Sequence, residues 1–534
     1  MLDRDLVLPH LIAKRAQEAP DALLLGDMSG RRLSYREAHE RILTWASALQ
    51  RLGAGRGANV VTMMPTAPES HICWMAISWL GATEVPINTA YRGRILSYVV
   101  NNSNAEVMVV AEQYLEEVLR VGAELNGLKT LVVWDATKDW SSQASIRIVG
   151  PEAFLSGCRP AEGLKGPEYY DIACIIYTSG TTGPSKGVLV PWAQLYRYSV
   201  PDPGAYDGWV EPGETSTTLS FLPTFHMGGK QSFYGSAEGG RLLIMRQGFS
   251  VSTYWDEVRA YNLKVIGSFG PVMAMLLAQP PRPDDKDNPA RIVGMAPVIP
   301  QVFEFMERFG LEGFTTAYGM TEIGAPINAG VNPPNIETCG RARPGYQLRV
   351  VDEHDEDVGP GKLGELVVRA DQPWLVTPGY YNMPDKTAEA WRNGWFHTGD
   401  GFTYDEDGWF YFKDRIKDAI RRRGENISSF EVEQYVNEHP AVEDCAAVAV
   451  ASELTEDEVK VVVVVKAGAS LTPEDLIRFL IPRMPRFMVP RFVQFVAGLP
   501  KTEASFRTKK VELRNAPMSD DVWDRAAAGI EIPR

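Results

Sequence analysis

Ile176-Tyr-Thr-Ser-Gly-Thr-Thr-Gly-Pro-Ser-Lys-Gly-Val188 is the stretch from which the rest of this chain is read. It follows the apolar run Ala173 to Tyr177, which reads as a buried strand. Three glycines and five Ser and Thr hydroxyls surround one lysine, Lys186. Glycine lets backbone N–H groups approach an anion, hydroxyls add donors, and a lysine neutralises phosphate. Composition alone leaves a flexible hydrophilic loop open. The spacing after Gly180 lacks the Gly-Lys-Ser/Thr of a Walker loop. By its residues the stretch is a phosphate loop of unspecified class.

Upstream, helical and strand-like patterns alternate. Ser34 and Glu37 form a capping-box signature before a helix with Ile42, Leu43, Ala46 and Leu49 on one face, and Gly53 ends it. Val60 to Met64 reads as a strand, Ile72 to Leu80 as a helix, and Thr83 to Ile87, Val107 to Val110 and Leu131 to Trp134 as further strands. That alternation predicts α/β layers around a mainly parallel sheet. Downstream, Leu348 to Val351, Glu365 to Val368 and Trp409 to Phe412 are short strands between acidic turns, an antiparallel subdomain. Past Asp414, a helix capped by Ser428 and Glu431, the apolar strand Val459 to Val465 and a helix from Thr472-Pro473 predict a small α+β domain. The expected fold class is therefore α/β. A large N-terminal domain (1–413) of parallel-rich layers and an antiparallel β subdomain is hinged to a small C-terminal domain (414–534).

The 534 residues exceed one ordinary core, and 45% apolar with 23% charged composition is that of a globular protein. A net charge of −14 argues against a general nucleic-acid binder. No apolar stretch reaches the length of a membrane span. Five scattered cysteines without a CxxC pair fit reduced thiols, and MLDRDLVLPHLIAKRAQ reads as an amphipathic helix and not a signal peptide, so the expected location is cytoplasmic.

YTSGTTGPSKGV resembles the signature loop of the adenylate-forming (AMP-binding) superfamily: acyl-CoA synthetases, peptide-synthetase adenylation domains and luciferases. Further motifs follow in that family's order. Leu222-Pro-Thr-Phe-His-Met-Gly-Gly229 is similar to the segment beside the acid, Gly294-Met-Ala-Pro297 to a turn near adenine, and Tyr318-Gly-Met-Thr-Glu322 to the adenine and metal motif. His397-Thr-Gly-Asp400 resembles the ribose motif, Asp414-Arg-Ile-Lys-Asp418 the hinge, and Arg423-Gly-Glu-Asn-Ile427 the turn near the pantetheine path. Arg421 to Glu433 and Ile481 to Pro490 look most like carnitine/crotonobetaine-type CoA ligases.

The resemblance implies an acid–thiol ligase that uses ATP, Mg2+ and coenzyme A. It implies nucleotide contacts from Thr178, Ser179, Gly180, Thr181, Thr182, Gly183 and Lys186, and from Gly294, Met295, Ala296, Tyr318, Gly319 and Met320. Thr321 would donate to a phosphate, Glu322 would hold Mg2+, Asp400 would accept the ribose hydroxyls, and Arg415, Arg423 and Gly424 would meet ribose, phosphate or CoA. Acid-pocket residues would be His226, Met227, Gly228, Gly229 and Gly324, the glycines leaving room for a bulky acyl group. His226 is expected as a pocket wall and not a general base. The triplet Arg421 to Arg423 is expected against phosphates, while Asp352 to Asp357 and Asp405 to Gly408 are hairpin turns and not calcium loops. The family suggests a homodimer.

One segment departs from the family. Where its members carry a Gly-Lys before a basic residue and Leu-Arg, counting back from Leu513-Arg514 puts Phe506 at the glycine and Arg507 at the lysine. Arg507 is the expected adenylation residue, with Lys509 or Lys510 as the alternative after a short shift in register. Two other functions stay open: loading of a carrier protein, disfavoured because no carrier domain is seen, and a nucleotide-binding regulator that has lost catalysis.

Overall fold

The computed structural model describes residues 2–534 apart from 141–145, 179–184, 211–212, 214–215, 416–419, 423–424, 428, 452–456, 487, 503–507, 520 and 533–534, and apart from the side chains of 268, 271, 414–415, 421, 425–426 and 431. The chain groups into two compact units, 1–347 with 368–396, and 348–367 with 397–534.

The first unit is α/β, as the alternation predicts. Its largest sheet runs Arg147–Val149, Thr130–Val133, Val107–Val110, Asn59–Met63, Thr83–Pro86, Ile172–Thr178, Lys186–Pro191. Every neighbouring pair is parallel except the last, which is a hairpin. These strands are buried on both faces, which is why they read as continuous apolar runs. Ser34 and Glu37 close both bonds of the capping box at the start of Tyr35–Arg51. Pro68–Trp79, wider than the predicted helix, buries all of its residues, and its apolar character runs around the whole helix. Trp74 on this helix donates from Nε1 to the Ala173 carbonyl at 2.9 Å and stacks on Trp192 at 5.3 Å.

Two smaller sheets complete the unit. In one, Thr217–Ser220, Leu242–Met245 and Leu23–Asp27 are parallel, with Arg32–Ser34 antiparallel at the end. In the other, Val265–Ser268, Ile292–Met295 and Gly313–Met320 are parallel, followed by antiparallel Gly324–Val331 and Arg341–Ala342.

The antiparallel strands Tyr346–Val351, Gly364–Ala370 and Trp395–Tyr404 run through the division and share residues with both units. Phe410–Arg415 pairs with the last of them. The expected antiparallel subdomain is thus present, and residues 348–367 and 397–413 group by compactness with the C-terminal part. The expected pivot, Lys417, lies outside the described residues.

Beyond it, Val442–Ala451, Asp457–Val465, Phe492–Phe495 and Trp523–Asp524 form a four-stranded sheet against the helices Ser429–Asn437 and Pro473–Leu480. Val432, Val436, Val461, Val463, Leu476 and Leu480 fill its core. Thr472 caps the second helix by accepting the Asp475 N–H.

The arginine triplet needs a correction. Arg422 is 3% exposed; its guanidinium pairs with Glu458 at 2.8 Å and donates to the Val489 carbonyl at 3.0 Å. It is a core ion pair and not a phosphate contact. Arg423 and the side chain of Arg421 lie outside the described residues. Removing one partner of a buried pair leaves the other charge unpaired. Arg422→Ala should therefore destabilise the protein by about 3 kcal/mol in denaturant unfolding, with KM for ATP unchanged in the folded fraction.

Candidate active site

The signature stretch spans the ends of two paired antiparallel strands, Ile172–Thr178 and Lys186–Pro191. Thr178 ends one strand, Lys186 begins the next, and the two are register partners. Ser179, Gly180, Thr181, Thr182 and Gly183 lie outside the described residues. Gly187 is a glycine for a packing reason: a Cβ there would stand 2.9 Å from Ile175 Cγ2 and 3.1 Å from the Tyr177 ring.

The motif Tyr318 to Glu322 is also a hairpin end, where Gly313–Met320 turns into Gly324–Val331. A Cβ on Gly319 would meet the Gly324 carbonyl oxygen at 2.3 Å, so only glycine lets the strands close. Gly324 itself has a positive φ of +68°. Tyr318 is half-buried, with its hydroxyl 3.9 Å from Met320 Sδ. On the parallel neighbour, Gly294 pairs with Thr315, Met295 is buried and Ala296 is exposed just past the strand end. The Gly294–Ala296 and Tyr318–Glu322 motifs therefore emerge at the carboxyl ends of adjacent parallel strands, where α/β sheets bind ligands.

A short segment ties the two hairpins together. The Leu189 N–H bonds the Gly379 carbonyl at 3.1 Å and the Tyr381 N–H bonds the Gly187 carbonyl at 2.8 Å. From the same segment, the Thr377 N–H bonds the Glu322 carbonyl at 2.7 Å. Tyr380 then joins the side chains. Its hydroxyl donates to Glu322 Oε1 at 3.1 Å, and Lys186 Nζ stands 4.7 Å from its ring centroid. Burial and the Glu322 carboxylate both push the Tyr380 phenol well above its usual range, so it stays a donor. Nothing in the sequence marked Tyr380, since a tyrosine after a Pro-Gly turn looks like any core tyrosine.

Glu322 is 6% exposed. Among the described residues no cluster of three His, Cys, Asp or Glu side chains could hold a metal. One hard carboxylate fits Mg2+, which takes one or two carboxylates and completes its shell with phosphates and water. Thr321 is anchored through its carbonyl, which accepts Gln194 Nε2 at 2.8 Å.

The acid segment lies on the first turn of the helix Met227–Glu238. His226 is its N-cap residue without a side-chain cap bond, and its ring is 4.8 Å from that of Phe225. Among the described residues its Nε2 is buried without a hydrogen-bond partner, and burial pulls its pKa down to about 4. A ring that is neutral near pH 7 suits a pocket wall. The glycines require a correction. A Cβ on Gly229 would lie 2.3 Å from the Pro223 carbonyl oxygen and one on Gly228 2.9 Å from Leu222 Cδ1. Gly229 is small because the backbone of the preceding turn leaves no space for a side chain, not to make room for an acyl group; the atom facing Gly228 is the tip of a flexible leucine and does not itself require glycine. Gly324 faces Gln194 and Tyr198 of the helix Trp192–Ser199, the helix that also packs on Met227–Glu238.

In the second unit Asp400 is 5% exposed and is the register partner of Arg415, whose side chain lies outside the described residues. Its N–H bonds Thr398 Oγ1 at 3.1 Å, and Thr398 in turn donates to the Leu366 carbonyl at 2.7 Å. Glu365 braces the same turn, accepting the Gly399 N–H at 2.8 Å and bonding His397 Nδ1 at 2.9 Å. The two acidic turns are as read: Asp352 accepts the His354 and Glu356 N–H groups, and Asp405 those of Asp407 and Trp409.

Arg507 and Gly424 lie outside the described residues. Of the alternatives to Arg507, Lys510 is engaged in the C-terminal core by Glu433 at 2.9 Å and by Ser429. Lys509 is exposed and, among the described residues, pairs with exposed Glu512 at 3.2 Å. Such a surface pair holds little energy.

The AMP-binding enzyme family model matches residues 12–381, and that of the AMP-binding enzyme C-terminal domain matches 431–505. Similar curated proteins include the crotonobetaine/carnitine–CoA ligases of Citrobacter koseri, 28% identical over 484 residues, and of Proteus mirabilis, 28% over 487; each match spans 88% of this chain and 91% of the relative. Among solved structures, the anthranilate CoA ligase AuaEII in complex with anthranoyl-AMP shares the fold at a TM-score of 0.83 and 20% identity over 98% of both chains. A benzoate CoA ligase from Burkholderia xenovorans does so at 0.81 and 22%, over 96% of this chain and 100% of that one. With more than half of its length under one family model, this chain belongs to the AMP-binding enzyme family.

Proposed function

We propose that the chain adenylates a carboxylic acid with ATP and passes the acyl group to free coenzyme A. The observation that carries this reading is the junction of Lys186, Tyr380 and Glu322, where the signature hairpin meets the Thr-Glu hairpin. A carboxylate oxygen of the acid attacks the α-phosphorus, the bond to the bridging oxygen of the β-phosphate breaks, and pyrophosphate leaves. Lys186 and the loop donors bind the phosphates, and Thr321 donates to one phosphate oxygen. Tyr318, with Gly319, Met320 and the Gly294–Ala296 turn, meets the adenine, and Asp400 with Arg415 takes the ribose. Mg2+, when bound, neutralises phosphate charge, and Glu322 is the carboxylate that would hold it. Arg507 stabilises charge developing between the carboxylate and the α-phosphate.

In the second half-reaction the CoA thiol loses its proton to solvent, its sulfur attacks the acyl carbon, and AMP leaves. Arg423 and Gly424 are assigned to the CoA side, and the C-terminal part from 414 onward is assigned a turn about Lys417. Neutral His226 lines the acid pocket with Met227 and Gly324. Gly229 gives no reason to prefer a bulky acid, because its missing side chain is accounted for by the turn it packs on.

A panel holding crotonobetaine, carnitine, benzoate, anthranilate, o-succinylbenzoate and straight-chain acids, read for pyrophosphate with and without CoA, should yield at least one acid that gives both pyrophosphate and a thioester. An active preparation that releases pyrophosphate with none of them overturns the ligase reading, and pyrophosphate without a thioester points to a carrier protein as acceptor. With that acid, Arg507→Ala should lose adenylation but keep thioester formation from preformed acyl-adenylate, whereas Lys509→Ala keeps both; an unimpaired Arg507→Ala reassigns the role. Tyr380→Phe removes one bond to a buried carboxylate and should lower the adenylation rate about tenfold. It should also raise the Mg2+ needed for half-maximal rate, with KM for the acid unchanged.

A further inference from the structure

The first unit buries an ion pair that no step above uses. Glu84, 3% exposed, sits in the strand Thr83–Pro86, and Lys230, 1% exposed, sits in the helix Met227–Glu238. Lys230 Nζ donates to Glu84 Oε2. The other carboxylate oxygen accepts Thr62 Oγ1 at 2.8 Å. The ammonium also lies 3.8 Å from the centroid of the Trp74 ring, a cation–π contact in a desolvated place. Beside it, His71 stacks on Phe233 at 4.3 Å, and burial and the Lys230 charge keep its pKa well below the usual histidine value.

Stability does not explain such a pair. Two charges taken from water recover their desolvation cost only with tight geometry, and apolar residues of the same shape often do as well. A bond between two fixed atoms supplies position instead. Glu84 is held in the seven-stranded sheet, in register with Cys174 on the strand that leads to the signature loop. Lys230 is one helical turn past His226, and its N–H bonds the His226 carbonyl at 3.2 Å. The turn between them has no slack. Gly229 packs directly against the Pro223 carbonyl, and Ser232 Oγ donates to the Gly228 carbonyl at 3.0 Å.

We propose that Glu84 and Lys230 are positioning residues: their bond locks the helix Met227–Glu238 to the central sheet and thereby fixes where the His226 ring is buried. That this ring borders the acid rests on the function proposed above; that the pair positions it does not.

The test uses the full chain carrying Glu84→Gln with Lys230→Met, which removes both charges at nearly constant length, beside the two single variants. Each single variant leaves one buried charge unpaired and should lower Tm, while the double variant should return close to wild type. His226 reactivity toward diethyl pyrocarbonate, followed by peptide mass spectrometry with His226→Gln as the assignment control, should rise several-fold in the double variant. With an acid in hand, its KM should rise about tenfold through misplacement of the pocket wall, with KM for ATP unchanged. Wild-type His226 reactivity in a double variant of wild-type Tm overturns the proposal. Should the double variant not fold, Glu84→Asp decides. It keeps both charges and shortens the reach by one methylene, so reactivity rises if position matters and stays constant if only charge does. Failure of the acid panel would overturn the ligase reading but leave the reactivity result to decide this one.

Discussion

The segment from Thr377 to Tyr381 is the constraint on which the two hairpin ends of the first unit depend. Its backbone bonds reach Gly187 and Leu189 on one hairpin and Glu322 on the other, and Tyr380 adds a side-chain bond to the same Glu322. The two hairpins belong to different sheets, the seven-stranded one and the five-stranded one that holds Gly313–Met320. Bonded to a common segment, they hold a lysine and a carboxylate at fixed positions around one tyrosine. Glycine makes this possible, since Gly187 and Gly319 occupy positions where a Cβ would strike a neighbour.

Charges inside this protein fall into distinct kinds. Glu322 is a buried carboxylate that accepts the Tyr380 hydroxyl, and Asp400 is a buried carboxylate in a turn held by its N–H on Thr398 Oγ1. Arg422 with Glu458, and Lys230 with Glu84, are closed pairs whose partners consume each other. His226 is a third kind, a titratable ring with no charged partner among the causes that shift it, so burial alone makes it neutral.

Much of the fold was legible because its signals are local or periodic. Ser34 and Glu37 stand at capping-box spacing, and the box forms. Val107 to Val110 is a strand over the residues its apolar run marks. Asp352 and Asp405 bind their own backbone two and four residues on, as short acidic turns do. Arg422 was misread because three adjacent arginines look alike in sequence, although one points at a glutamate 36 positions further along the chain (458 − 422). Gly229 was misread because a missing side chain has two explanations, room for a ligand and room for the protein's own backbone.

The alternation of helical and strand-like patterns by itself determined the layered α/β architecture, and the ordered motifs the family, since periodicity and fixed spacing are local and need no help from distant residues. Tertiary structure decided which charges are spoken for and which segment joins the hairpins. Tyr380, Lys230 and Glu84 carry no local signature, because each acquires its role from a partner 58 or 146 residues away. Interactions over such separations depend on chain topology, and only the folded packing specifies which residues meet.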